Sequence, residues 1–177
     1  MSKLKTNQRL IAKMADVLLD FESELRDLDR QRGAKRASKK QREGRRVYST
    51  GKHGRRIGSV GDRYSQYKAL ATLYEILRSD ERFRNGLDND SWSSEKRSLT
   101  LKRFAQLRKV VRHAFKLAFG EFYSSRRQRA RSWASVLQLA WEDSVPVEEL
   151  EIFILRAGGI QRIYNICSKD IATFHDS

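Results

Sequence analysis

The chain is short of several things. Its 177 residues include one cysteine, Cys167, and one proline, Pro146. A lone cysteine excludes an internal disulfide and any cysteine-based zinc cluster. His53, His113 and His175 are scattered, so no metal-ligand spacing arises and no metal is expected. No apolar run approaches the roughly 18 residues of a membrane span, and the first residues lack the apolar core of a secretory signal. No repeat is present, which removes the solenoid binders. Acids are missing where a helix would ordinarily mix them with its bases: none occurs between residues 99 and 120.

Positive charge fills the space. The formal net charge is +15, which in a chain this small repels itself and implies a polyanionic partner. The charge is segregated. Residues 30–63 carry a net +11 and residues 98–131 a net +9, whereas residues 132–177 carry −4. A surface charged only for solubility interleaves its signs. Segregation points to basic surfaces with a ligand.

Apolar periodicity divides the chain into helices. In residues 1–29, Leu4, Ile11, Leu18 and Leu25 fall seven apart, with Met14, Phe21 and Leu28 three residues after the last three and Asn7 in the corresponding first place. This a/d pattern fits a helix over 4–28 that packs inside the chain or dimerises. Residues 30–63 break the pattern. "RQRGAKRASKKQREGRR" has almost nothing to bury, and five of the ten glycines lie between Gly44 and Gly61. The segment reads as a basic, glycine-containing arm between the first two helices. It is either disordered until it meets phosphates or a short β-hairpin carrying Val47, Ile57 and Val60, with Tyr48 available to stack on a base. Asp62 is placed to cap a helix over 63–79 striped by Tyr67, Leu70, Tyr74 and Leu77. Residues 84–98 read as a polar loop, with Trp92 either a plug that pins it to the body or a base-stacking residue.

Residues 99–122 are the most informative. Phe104, Leu107, Val111, Phe115, Ala118 and Phe122 share one face of a helical wheel, and Lys102, Lys109 and Lys116 repeat on the opposite face, with Arg112 and His113 close by. At 1.5 Å per residue the lysines span about 21 Å. Crowding like charges forgoes the few tenths of a kcal/mol that each Glu–Lys pair adds, which favours a row facing phosphates. Residues 126–142 continue as a helix, with Ala130, Trp133, Leu137 and Ala140 inward and Val136 and Trp141 at the edges. Arg126, Arg127 and Arg129 near its start oppose the helix dipole unless an anion lies there or the helix runs on from residue 122. In 144–169, Pro146 suits a first helical position and Gly158 or Gly159 a stop, before a second helix over 160–169. Two short helices across a glycine turn resemble a helix-turn-helix, but Ile154 or Leu155 stands where a small residue is expected, and the first helix is acidic. A packing hairpin or partner surface fits better.

Catalytic readings fail on spacing. In "GRRVYSTGKHG" six residues separate Gly44 from Gly51-Lys52, and His53 follows, so this is not a phosphate-binding NTPase loop. Asp88 and Asp90 have no neighbours to complete a two-metal site, and Cys167 lies beside an apolar stripe. The expectation is an all-α multi-helix bundle with a basic arm over 30–63 and a helical domain over 64–177, without cofactor or enzymatic activity. It would bind nucleic acid, DNA rather than RNA, as an accessory or regulatory factor. The cations expected on phosphates are Lys35, Arg36, Lys39, Lys40, Arg45, Arg46, Lys52, Arg55 and Arg56 in the arm, Lys102, Lys109, Arg112 and Lys116 on the helix, and Arg126, Arg127 and Arg129 beyond it. A protein partner or second copy would meet 4–28 or 144–169, no membrane is involved, and the location is cytoplasmic, on a nucleoid or in a nucleus according to the cell. The alternatives are an RNA-binding subunit of a ribonucleoprotein and an interaction adaptor whose "KRASKKQREGRR" is a nuclear-import or acidic-partner signal.

Overall fold

The computed structural model describes residues 3–42, 60–80 and 94–173, with side chains for 8–33, 61–80 and 104–168. Helices dominate: α1 (Lys3–Arg42), α2 (Val60–Ser79), α3 (Ser94–Phe119), α4 (Tyr123–Glu142), α5 (Leu150–Arg156) and α6 (Ile160–Thr173), with 3-10 turns at Gly120–Phe122 and Val147–Glu149. No strand occurs among the described residues, and the chain is an all-α multi-helix bundle.

The apolar stripes settle how the helices pair. Leu10, Met14, Leu18, Phe21 and Leu25 of α1 are all buried within the chain, where α1 packs on α2 and α3. The a/d stripe therefore makes an intramolecular seam and is not open to a second copy. α4 lies deepest, against α3 on one side and α6 on another. That position explains why Val136 and Trp141, expected at its edges, are buried, along with the polar Ser132, Ser135 and Gln138. At the centre the Trp133 ring meets Phe21 at 5.2 Å and the edge of Phe115 at 5.7 Å, joining α4, α1 and α3. Such pairs add roughly 0.5–1.5 kcal/mol each beyond burial.

Three contacts fix which ends coincide. Arg32 of α1 pairs with Asp62 at the start of α2, and Glu22 pairs with Arg126 near the start of α4. The Tyr74 hydroxyl, far along α2, lies 2.9 Å from both the Ala140 and Val145 carbonyls at the end of α4. So α2 and α4 run against α1. The starts of α2 and α4 and the turn between α3 and α4 lie at the end of the bundle towards which α1 runs.

Several expected boundaries move. α1 does not stop at residue 29 but runs to Arg42, so residues 30–42 are helix rather than arm. Ala, Arg, Lys and Gln are good helix formers even where they bury nothing, and Arg32 gives the prolonged helix an anchor. Asp62 is the third residue of α2, not its cap. Its carboxylate is almost fully buried and accepts from both terminal nitrogens of Arg32, at 3.0 and 3.2 Å. Phe122, expected inward, is 71% exposed, because Gly120 at φ +48° breaks the helical phase before it. The 144–169 hairpin also differs. Pro146 stays extended, α5 begins only at Leu150, α5 packs against α2 and α4, and α6 packs along α4. Of the proposed ribbon, Val60 opens α2; Val47, Tyr48 and Ile57, like Trp92, lie outside the described residues.

Two turns carry left-handed residues for an identifiable reason. After α5, Gly159 N–H reaches the Ile154 carbonyl at 2.8 Å and Gly158 N–H the Leu155 carbonyl at 3.0 Å, a Schellman stop with Gly158 at φ +86°. After α4 the same pattern recurs, with Val145 N–H on Ala140 and Ser144 N–H on Trp141, but the left-handed position is Ser144 at φ +52°. Ser144→Gly should therefore stabilise the fold by about 1 kcal/mol. Gly33 sits inside α1, and a Cβ added there would meet nothing within 4 Å, so Gly33→Ala should add about 1 kcal/mol as well. Chemical denaturation of both variants checks these values.

Candidate nucleic-acid interface

The structure sorts the cations by whether the fold supplies them with a partner. Arg126 and Arg129 converge on Glu22: Arg129 Nη1 donates to its Oε1 at 2.6 Å, and Arg126 Nε and Nη2 reach Oε1 and Oε2 at 3.2 and 3.4 Å. Each guanidinium also lies over a ring, Arg126 over Phe119 at 4.7 Å and Arg129 over Phe21 at 5.5 Å. These two arginines, expected on phosphates, thus also act as internal ties between α1, α3 and α4. The dipole problem that suggested an anion also lapses, because α4 begins at Tyr123 and its first turn is not arginine-rich. Arg108, on the flank of α3, donates to Gln138 at 2.6 Å, and Gln138 in turn donates to Glu142.

Lys109, Arg112 and Lys116 are different. All three are exposed on the outer face of α3, and none has a carboxylate partner among the described residues. The packing of α3 requires this placement. Leu107, Val110, Val111, Ala114, Phe115 and Phe119 are buried, so a row spaced by three and four residues on the other side must face out. Lys116 Nζ lies 5.7 Å from the centre of the Tyr123 ring, which draws the row towards the start of α4. There Arg127 is exposed. His113 is half-buried beside the row.

Arg131 extends this basic surface across α4 and was not among the expected contacts. It is exposed next to Tyr164 of α6, whose hydroxyl is held below the ordinary phenol range by hydrogen bonds with Ser168 and Gln128 and by the charge of Arg131. Its place in "RRQRAR" gave no sign of which arginine faces Glu22, since that carboxylate lies more than a hundred residues away in sequence. Lys102 continues the row by helical spacing, and Lys35, Arg36, Lys39 and Lys40 lie on the helical prolongation of α1; only the backbone is described at these five positions. Arg45, Arg46, Lys52, Arg55 and Arg56 lie outside the described residues.

Among the described residues, no group of three His, Cys, Asp or Glu side chains is placed to hold a metal ion, and no helix is long and apolar enough to cross a membrane. Cys167 is buried, with Sγ 3.9 Å from the Ser135 carbonyl. Comparison with protein families, with curated proteins and with solved structures finds no match.

Glu22 makes a test of this sorting. Burial pushes its pKa up, but the hydrogen bond from Arg126 and the charges of Arg129 and Arg126 together bring it below the ordinary value of 4.5. A carboxylate with a lowered folded pKa contributes stability that is complete above the unfolded value and lost as pH falls through the folded one. The wild-type protein should thus lose stability progressively below about pH 4.5. Glu22→Gln should cost about 3 kcal/mol at pH 7 by stranding two partly buried guanidiniums, and the loss should shrink on acidification. Urea unfolding at pH 7 and pH 3.5 measures both effects.

Proposed function

We propose that the protein is a non-enzymatic nucleic-acid-binding factor, an accessory or regulatory component that lays the outer face of α3 along a phosphate backbone. The observation that carries this reading is the exposed row Lys109–Arg112–Lys116, continued by Lys102, in a helix without a single acid from residue 99 to 120. Among the described residues the fold provides carboxylates for Arg32, Arg126 and Arg129 and none for Lys109, Arg112 or Lys116. About 21 Å of helix corresponds to the axial rise of roughly six phosphates of one B-form strand, or about three to four if it follows the backbone itself.

The helical prolongation of α1 favours DNA over RNA. Lys35, Lys39 and Arg42 fall on one row of that helix, with Arg36 and Lys40 on the next. A helix about 10–12 Å wide enters the major groove of B-form DNA, about 12 Å across, whereas the deep, narrow major groove of A-form RNA excludes it. The surface formed by the Val147–Glu149 turn and α5, where Ile152 and Leu155 are exposed near Glu148, Glu149 and Glu151, is the contact we assign to a protein partner.

The test is a triple charge reversal, Lys109→Glu, Arg112→Glu and Lys116→Glu, titrated against duplex DNA of unrelated sequences at 50 and 200 mM salt. Affinity should fall by similar factors on every sequence, and the slope of log K against log salt should shrink by about three. Glu22→Gln, which keeps the row and frees Arg126 and Arg129, should not flatten that slope. A wild-type protein whose affinity ignores salt would overturn the proposal and favour the adaptor reading.

A further inference from the structure

Phe122 is the most exposed large apolar side chain among the described residues, at 71%. It is held rigidly. Its carbonyl accepts from Ser125 Oγ at 2.8 Å, its backbone starts α4, and Gly120 turns the chain so that the ring leaves the core. Tyr123, the next residue, lies under the ammonium of Lys116, and Arg127 is exposed one turn further on. An exposed ring on a fixed backbone beside cations that have no ion-pair partner among the described residues is an arrangement that stacks bases while its neighbours hold phosphates. The one acid beside it, the exposed Glu121, opposes an anion and sets a limit on affinity.

The turn also lies at the end of the bundle where α1 runs on past Arg32 for ten more residues, about 15 Å of helix. A duplex engaged by that basic helix would bring its bases to the same end as Phe122. Resting on the nucleic-acid reading above, we propose that Phe122 is a base-stacking residue and that the preferred ligand is a DNA duplex containing an unpaired base. At such a site the ring finds a free face without having to open a base step.

The experiment compares wild type, Phe122→Ala, Phe122→Leu and Phe122→Trp on three labelled DNAs of one sequence at fixed salt: a blunt duplex, the same duplex with a single-base bulge, and the single strand. Wild type should favour the bulged duplex over the blunt one by roughly ten- to a hundredfold. Phe122→Ala and Phe122→Leu should abolish that preference and leave blunt-duplex affinity unchanged, and Phe122→Trp should restore it. A 2-aminopurine placed in the bulge should be quenched by wild type and not by Phe122→Ala. Glu121→Gln should tighten all three complexes. Retained preference in Phe122→Leu would show apolar contact rather than stacking. Loss of self-association in Phe122→Ala, with DNA binding intact, would make the ring a protein contact. Either result overturns the proposal while leaving the phosphate row standing; failure of wild type to bind any of the three overturns both.

Discussion

One buried carboxylate decides which cations this protein has to offer. Glu22 is only 9% exposed, and a charge removed from water to that degree is tolerated only if it is paired and hydrogen-bonded. Arg126 and Arg129 meet that need, and in doing so they set the register of α4 on α1. The same two guanidiniums cover Phe119 and Phe21, so the ion pair and the aromatic centre around Trp133 form one assembly. Once α1 and α4 are locked this way, α3 has only one way to bury its apolar stripe, and its basic row must face water. The exposed charge follows from the internal charge.

Much of the fold is legible in the sequence because apolar periodicity is a local signal. The stripes Leu70–Tyr74–Leu77, Leu107–Val111–Phe115 and Trp133–Leu137–Ala140 are buried as their spacing implies. What the sequence hides has two physical sources. One is pairing over distance: nothing near Arg126 or Asp62 shows that Glu22 and Arg32 will meet them, and a cluster such as "RRQRAR" therefore reads as uniformly basic although the fold divides it. The other is phase. A helical wheel drawn through Gly120 assigns Phe122 to the core, but the left-handed glycine resets the phase and turns the ring outward. The length of α1 belongs to a third case. A run of charged residues makes no apolar stripe, yet its intrinsic helix propensity is high, so a helix there leaves no periodic trace.

The candidate site is legible in part for the same reasons. Lys109, Arg112 and Lys116 are recoverable because the opposite face of their helix is unambiguously apolar, which leaves only one side for them. Arg131 and Phe122 are not, because one lies on a helix buried on nearly every side and the other sits where the chain changes helix. A residue's direction follows from sequence only where a single, uninterrupted stripe defines what is inside.

Charge segregation along the chain also becomes segregation in space. The prolongation of α1, Lys116 and Arg127 lie towards one end of the bundle. The end of α4, joined to α2 through Tyr74 and Arg78 at the Val145 carbonyl, lies at the other, and it leads into Glu142, Asp143, Glu148, Glu149 and Glu151. On the function proposed above, a net charge of +15 with the acids gathered towards one end gives a dipole that would turn the molecule as it is drawn to a polyanion. Long-range attraction without a dipole would leave the row of α3 to find its partner by rotation alone. With the acids of 142–151 repelled, the basic end would arrive first, and the short-range contacts of the proposed row would need only to complete an orientation that the field had already selected.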